Sequence, residues 1–197
     1  MEEDKSSTLK SDILTLANLL SLFRILLVPV FLWAVLNRKP FEALLIFFLA
    51  GLTDLLDGFA ARLWQQRTKI GTILDPAGDK LLMIASYIVL TLPSLASPNV
   101  IPIWLTAVVF ARDLLIVTGA FIACLSWRQK TFLPSLLGKI STVCQVGTVF
   151  LVLLLNYYEV APKVMSWVYG LTLLATLASG VHYFVYGLKT LRQHRRV

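Results

Sequence analysis

The chain has 197 residues, of which 57% are hydrophobic and only 15% are charged. Soluble domains of this size carry about a quarter charged residues, so the composition excludes an ordinary soluble protein and indicates a single integral membrane domain, residues 1–197. The formal net charge is +7, but no basic stripe with interleaved aromatic residues is present, which argues against nucleic acid as a partner.

Six apolar segments of roughly 20 residues, the length that spans a bilayer, follow one another along the chain. They cover residues 13–36, 41–62, 72–92, 100–125, 136–157 and 164–188. A polar N-terminal tail, residues 1–12, precedes them, and a basic C-terminal tail, residues 189–197, follows them. We therefore predict an all-α, polytopic integral membrane protein with six transmembrane helices.

The lysines and arginines in the tails, in the loops and at the ends of these segments are unevenly divided between the two sides of the predicted bundle. Twelve lie on the side of the two tails, whereas the other side carries only Arg38, Lys39 and Lys163. Because basic segments stay on the cytoplasmic side of a membrane, both termini are predicted to be cytoplasmic. The second segment then ends, and the third begins, at the cytoplasmic (or matrix) face.

Four aspartates stand where those two segments face each other. Asp54 and Asp57 are three residues apart and Asp75 and Asp79 are four apart, so each pair shares one face of a helix. Charged residues in membrane segments are costly and usually functional. Four converging carboxylates require cations among them or protonation of some of them. Oxygen ligands favour the hard divalent ions Mg²⁺, Mn²⁺ and Ca²⁺, so we predict a divalent metal site.

Small residues and one arginine surround these aspartates. Gly58 and Ala61 follow the first pair, and Gly71 precedes the second. Their lack of bulk allows a ligand or a second backbone to approach closely. Arg62 adds a fixed cation suited to a phosphate oxygen. Carboxylates, metal ions, small residues and an arginine together indicate a substrate that carries a diphosphate.

The complete motif resembles the signature of the CDP-alcohol phosphatidyltransferases. It reads Asp54-x2-Asp57-Gly58-x2-Ala61-Arg62-x8-Gly71-x3-Asp75-x3-Asp79, with every fixed position at the expected spacing. The number of apolar segments is similar to that family, as are three short motifs, Asn18-x2-Ser21-x2-Arg24, Arg112-Asp113 and Gly138-Lys139. Within the family, the chain resembles the branch of the phosphatidylglycerophosphate synthases and the eukaryotic-type cardiolipin synthases.

This resemblance implies transfer of a phosphatidyl group from CDP-diacylglycerol to an alcohol, with release of CMP. It implies that Asp54, Asp57, Asp75 and Asp79 bind Mg²⁺ or Mn²⁺, with two ions per active site. Asp79 is further implied to be the general base that takes the proton of the acceptor; the alternative is a nucleophile that forms a covalent phosphatidyl-enzyme. The residues implied to line the CMP half of the donor are Thr53, Gly58, Ala61, Arg62 and Gly71.

Other polar residues in or beside the segments are candidates for binding the acceptor. Asn18 and Arg24 lie in the first segment, Arg112 lies in the fourth, and Lys139 begins the fifth. Together they are predicted to form a basic pocket for a phosphorylated acceptor. The alternative for Arg112, and for the adjacent Asp113, is pairing with other helices for purely structural reasons.

We therefore predict a phosphatidyltransferase of phospholipid biosynthesis. Glycerol-3-phosphate is the first choice of acceptor and would give phosphatidylglycerophosphate, whereas phosphatidylglycerol is the second and would give cardiolipin. The family resemblance also implies a homodimer. A metal-ion transporter is a rival from another class, but its carboxylates should line a path through the membrane midplane, whereas these gather at one edge.

Overall fold

The computed structural model describes residues 16–64, 71–96, 98–127 and 135–194, with side chains over 22–54, 78–96, 98–119 and 135–187. These described residues form six α-helices and no β-strand, which confirms the predicted all-α class for this part of the chain. The helices are α1 (Leu16–Leu36), α2 (Pro40–Trp64), α3 (Gly71–Leu90), α4 (Ile103–Trp127), α5 (Leu136–Tyr157) and α6 (Val164–His194). Because α6 reaches His194, residues 189–194 of the predicted tail continue the helix.

The helices pack around an apolar core. α1 packs against α2 and α3, α5 packs against α2 and α6, and α4 packs against α6. Phe31, Tyr87, Leu105 and Val149 are fully buried in this core. α2 and α3, which carry the two halves of the aspartate motif, both pack against α1.

Buried polar side chains join α5 to α6. Gln145 donates to the Ser141 hydroxyl at 3.2 Å and to the Thr176 hydroxyl at 3.3 Å, and Thr148 and Thr172 share a hydrogen bond of 2.7 Å. Polar groups buried among apolar helices require such partners, and bonds of this kind hold membrane helices together. They set the position of α6 relative to the beginning of α5.

The outer surface of the helices is apolar. Ile103, Leu136, Val143 and Trp167 are each more than 70% exposed. Among the described residues, α5 and the Val164–Gly187 part of α6 are long and apolar enough to cross a membrane. Exposed apolar patches of this extent mark surfaces that contact lipid or protein, as expected of a membrane protein.

Two helices end in an unusual conformation at the end of the bundle away from the aspartates. Arg38 follows α1 and Glu159 follows α5, and both have a φ of 55°, the only positive values among non-glycine residues in the described part of the chain. At each site the backbone N–H bonds to the carbonyl three residues earlier, and the next N–H bonds to the carbonyl five residues earlier, at 2.9 to 3.3 Å. This is the Schellman motif, in which glycine usually occupies the left-handed position. Left-handed backbone costs another residue roughly 1–2 kcal/mol.

Candidate active site

Two aspartates of the motif meet at one buried arginine. Arg24 lies on α1 and is 1% exposed, and its guanidinium contacts Asp54 on α2 and Asp79 on α3. Its Nη2 lies 3.3 Å from Oδ1 of Asp54, and its Nη1 donates to Oδ1 of Asp79. The structure therefore brings together one aspartate from each half of the motif.

The burial of Arg24 explains why both carboxylates stay beside it. A buried guanidinium without counter-charges would be strongly unfavourable, and here it has two. The side chains of Asp54 and Asp79 are themselves 52% and 44% exposed. The cluster is therefore closed on the side of α1 and open on the side of the carboxylates, where a ligand has access to oxygen atoms.

Seven of the predicted site residues lie on the helices but have side chains outside the described set. They are Asn18, Asp57, Gly58, Ala61, Arg62, Gly71 and Asp75. Asp57 lies three residues after Asp54 on α2, and Asp75 lies four residues before Asp79 on α3, so helical geometry places each about one turn from a described aspartate. Within the described side chains, no group of three or more metal-binding residues comes together.

Thr53 directly precedes Asp54. Its hydroxyl donates to the Ala50 carbonyl at 2.8 Å, a bond within α2 that occupies the only proton of the side chain. The oxygen of the hydroxyl remains able to accept one more hydrogen bond. The predicted contact between Thr53 and the CMP half of the donor stays a prediction. In that contact the hydroxyl oxygen of Thr53 would accept a hydrogen bond from the ligand.

A second charged cluster lies beside the first. Lys80 follows Asp79 on α3, and its ammonium binds Oδ2 of Asp113 on α4. The other carboxylate oxygen, Oδ1, accepts from Nη1 of Arg112 at 2.7 Å. Asp113 therefore neutralises two cations, and its pairing with Lys80 holds α3 against α4 at the level of Asp79.

Each nitrogen of the Arg112 guanidinium bonds to the protein. Besides the bond to Asp113, Nε and Nη2 donate to the Ser179 hydroxyl on α6 at 3.2 and 2.9 Å. Nη2 also donates to the Gly138 carbonyl on α5 at 3.3 Å. The structural pairing considered as the alternative for Arg112 and Asp113 is therefore present, and contact of Arg112 with an acceptor stays a prediction.

The beginning of α5 is held next to this cluster. Ser135 caps the helix by accepting from the Gly138 N–H at 3.0 Å, and its own N–H donates to the Tyr183 hydroxyl at 3.1 Å. A Cβ atom at Gly138 would lie 2.9 Å from that hydroxyl oxygen, so a larger residue there would have to displace the Tyr183 side chain. Lys139 is exposed on the same turn. The structure does not bring it into contact with Arg24 or Arg112, so these predicted acceptor residues are separate.

Sequence reasoning did not assign Lys80, Ser179 or Tyr183 to the site. Lys80 carried a usable signal, because a charge inside an apolar segment and adjacent to Asp79 requires a partner. The hydroxyls of Ser179 and Tyr183 carried none, because such residues are common in membrane helices. Only the packing of α6 against α4 and α5 places them at Arg112.

Replacement of Ser179 by alanine should destabilise the protein. The change removes the acceptor of two Arg112 nitrogens, and a buried donor left without its partner costs about 1–3 kcal/mol. Thermal unfolding of the purified protein in detergent should show a lower midpoint than the wild type. Ser166→Ala, at an exposed position of the same helix, is the matched control. Equal midpoints for the two variants would show that Ser179 contributes nothing to holding Arg112.

Comparison with known proteins assigns the chain to a family. The sequence model of the CDP-alcohol phosphatidyltransferases matches residues 14–178. Cardiolipin synthase (CMP-forming) from Rattus norvegicus is 33% identical over 199 residues, covering 90% of this chain but only 63% of that protein. CDP-diacylglycerol–glycerol-3-phosphate 3-phosphatidyltransferase from Aquifex aeolicus is 33% identical over 174 residues, covering 87% of this chain and 95% of that protein. The chain belongs to the CDP-alcohol phosphatidyltransferase family.

Proposed function

We propose that the chain transfers a phosphatidyl group from CDP-diacylglycerol to an alcohol acceptor and releases CMP. The observation that carries this proposal is the meeting of Asp54 and Asp79, from the two halves of the family motif, at the buried guanidinium of Arg24. A metal-ion transporter is disfavoured for another reason, because its carboxylates should line a path through the membrane midplane, whereas Asp54 and Asp79 gather at one edge of the predicted spans.

Asp54, Asp57, Asp75 and Asp79 are proposed to hold two divalent ions, Mg²⁺ or Mn²⁺. Enzymes of this family generally depend on a divalent metal. The described carboxylates fit that requirement, since they come from two helices, are half exposed and supply the oxygen ligands that hard cations prefer. Bound metal would neutralise charge on the diphosphate and on the departing CMP.

Asp79 is proposed to accept the proton of the acceptor hydroxyl as its oxygen attacks the phosphorus that carries diacylglycerol. The bond from that phosphorus to the CMP oxygen breaks, and CMP leaves with the electron pair. Arg24 contacts the Asp79 carboxylate and thereby orients it. A covalent phosphatidyl-enzyme through Asp79 is the alternative route. The proposed contacts of the CMP half are Thr53, Gly58, Ala61, Arg62 and Gly71.

The protein is proposed to be one membrane domain with six spans, cytoplasmic termini and an active site at the cytoplasmic (or matrix) face. The apolar outer surface of the helices supports spans beyond the two that are apolar enough by composition alone. The uneven division of lysine and arginine supports the orientation. A homodimer is proposed from family resemblance.

Glycerol-3-phosphate is the proposed acceptor. Its proposed contacts are Asn18, Arg24, Arg112 and Lys139, of which Lys139 is the exposed cation beside the second cluster. The Aquifex relative, whose name specifies this acceptor, matches the present chain over 95% of its own length. The present chain therefore aligns with almost the whole of that relative.

A groove between α4 and α6 favours phosphatidylglycerol as the second candidate. It has a volume of ≈340 Å³ and is lined mainly by apolar side chains, including Leu115, Val181 and Phe184. Arg112 is the charged residue of this lining. Apolar grooves of this size accept alkyl groups, and only a lipid acceptor has acyl chains. The cardiolipin synthase relative from rat covers 90% of this chain.

The test is to supply purified protein in lipid nanodiscs with CDP-diacylglycerol, divalent metal and one acceptor at a time. CMP release that requires glycerol-3-phosphate would support the first acceptor, and release that requires phosphatidylglycerol would support the second. The absence of CMP release with either acceptor would contradict the proposed transfer.

A groove variant separates the two acceptors further. Val181→Trp should fill the groove and lower phosphatidylglycerol-dependent CMP release at least about tenfold, because one misplaced contact can cost about 10²-fold in rate. Glycerol-3-phosphate-dependent release should stay unchanged, since that acceptor has no acyl chain. Leu174→Trp, at an exposed position of α6 outside the groove, is the control. Equal loss with both acceptors would exclude the groove as the acyl site of phosphatidylglycerol, because the acyl chains of the donor are present in both reactions.

A further inference from the structure

A larger cavity lies at the opposite end of the helices from Asp54 and Asp79. Its volume is ≈590 Å³, within the range of about 300–1,000 Å³ that is typical of ligand pockets. Leu90, which lines it, is 11 residues beyond Asp79 on α3, or about 16 Å along the helix. The cavity is therefore separate from the proposed active site, and we expect its ligand to be a different one.

Two charges of opposite sign line this cavity without neutralising each other. Arg38 and Glu159 are both exposed, and neither has an ion-pair partner among the described side chains. The third charge, Lys39, is already engaged, because it pairs with Glu42 at 3.3 Å and lies 4.9 Å from the centre of the Trp33 ring. The cavity thus offers one cation and one anion to a ligand.

The backbone at these two positions is strained. Arg38 and Glu159, the residues with left-handed φ at the ends of α1 and α5, both line the cavity. Glycine would fit either Schellman position without a steric penalty. Residues kept in unfavourable conformations cluster at functional sites. Both strained residues are charged and both meet one cavity, which favours a binding role for the pair.

The cavity wall is held in place by an amide pair. The side-chain oxygen of Asn156, which lines the cavity, accepts from the Asn99 backbone N–H at 2.7 Å, and its Nδ2 donates to the Asn99 carbonyl at 3.0 Å. Nδ2 of Asn99 also donates to the Val160 carbonyl at 2.7 Å. These bonds fasten the connection between α3 and α4 to the end of α5, so the cavity is formed before a ligand arrives.

Exposed aromatic side chains indicate at which level of a membrane the cavity lies. Trp33, Phe41, Tyr157 and Tyr158 are all exposed at this end of the helices. The rings of Phe41 and Tyr157 lie 5.4 Å apart, and those of Tyr157 and Tyr158 lie 4.9 Å apart. Exposed tryptophan and tyrosine of membrane proteins concentrate at the level of lipid headgroups. The cavity therefore opens where headgroups are the most abundant ligands.

We propose that this cavity binds a zwitterionic headgroup in which a phosphate is linked to a primary ammonium, as in ethanolamine phospholipids. The guanidinium of Arg38 suits the phosphate, and the carboxylate of Glu159 accepts from the ammonium N–H groups. A quaternary choline ammonium has no N–H to donate, and a purely anionic headgroup would face Glu159 unpaired. Soluble phosphoethanolamine has the same chemistry, but the aromatic rim favours the lipid.

The test counts lipids bound to the full-length protein by native mass spectrometry in detergent. Phosphatidylethanolamine should bind at least tenfold more tightly than phosphatidylcholine or phosphatidylglycerol. Arg38→Glu or Glu159→Arg alone should abolish this preference, and the two exchanges combined should restore it, because a complementary pair is present again. Lys163→Ala removes an exposed cation at the same end that does not line the cavity, and it should bind as the wild type does.

Two further measurements are needed. One distinguishes loss of the binding site from loss of the fold, and the other distinguishes binding of the lipid from binding of soluble phosphoethanolamine. Arg38→Gly removes both the cation and the strain, so binding should fall while the thermal midpoint stays equal or rises. Competition by soluble phosphoethanolamine at equal concentration would support the zwitterion site but assign it to a free ligand. Equal binding of all three lipids, or a preference that no variant changes, would overturn the proposal. Tighter phosphatidylglycerol binding by Glu159→Gln, without loss of phosphatidylethanolamine binding, would overturn it in favour of an anion site.

Discussion

Asp79→Asn is expected to lower the rate of CMP release by about 10²–10⁴-fold, the usual contribution of a general base. The amide has the same size and can still accept a hydrogen bond from Arg24, but it cannot take a proton from the acceptor. Asp54, Asp57 and Asp75 would still be able to hold metal, so affinity for CDP-diacylglycerol should change far less than turnover. Paired measurement of donor affinity and CMP release checks this expectation.

The control for this variant is Glu42→Gln, which neutralises an exposed carboxylate at the other end of α2. Turnover of Asp79→Asn within a few-fold of the wild type would show that Asp79 is not the base. Loss of donor binding in step with turnover would assign Asp79 to metal binding alone. A burst of CMP equal to the amount of wild-type enzyme, without acceptor, would favour the covalent route.

Removal of divalent metal by EDTA is expected to abolish CMP release, and added Mg²⁺ or Mn²⁺ is expected to restore it. The reaction places charge on the diphosphate and on the leaving CMP, and the described aspartates are anionic and contribute no compensation themselves. CMP release with and without chelator, followed by titration of each metal, measures the effect. Full activity in metal-free buffer would exclude the proposed metal centre.

Binding and structure should be followed in the same experiment. Arg24 neutralises part of the charge of Asp54 and Asp79 without any metal, so helix content and the thermal midpoint should remain close to those of the untreated protein. Metal should also raise the affinity for CDP-diacylglycerol in the Asp79→Asn variant, which cannot turn over efficiently. Unfolding upon chelation would instead identify the metal as a structural element.

The two charged clusters at the active-site end of the bundle join at one peptide bond. Asp79 belongs to the cluster of Arg24, and Lys80, the next residue, belongs to the cluster of Arg112 and Asp113. The second cluster extends to α5 and α6 through the carbonyl of Gly138 and the hydroxyl of Ser179. Contacts from all six helices therefore determine where the proposed base lies.

Local features of the sequence were sufficient to predict the helices and the motif. Apolar runs of membrane-spanning length determine where α1 to α6 lie, because each helix satisfies its own backbone hydrogen bonds. Asp54 and Asp57, like Asp75 and Asp79, share helix faces by spacing alone. The match of the motif to a family signature then indicated the chemistry without any knowledge of helix packing.

Tertiary structure alone decided the partners of the charges. Arg24 and Asp79 are 55 residues apart, and Arg112 and Ser179 are 67 apart. Periodicity within one helix carries no information about which face of another helix it meets, so the contact of Arg24 with Asp54 and Asp79 was not predicted. The left-handed turns at Arg38 and Glu159 could not be predicted either, because glycine is the residue that usually indicates such a turn and neither position is a glycine. Their common cavity exists only because packing brings the ends of α1, α3 and α5 together.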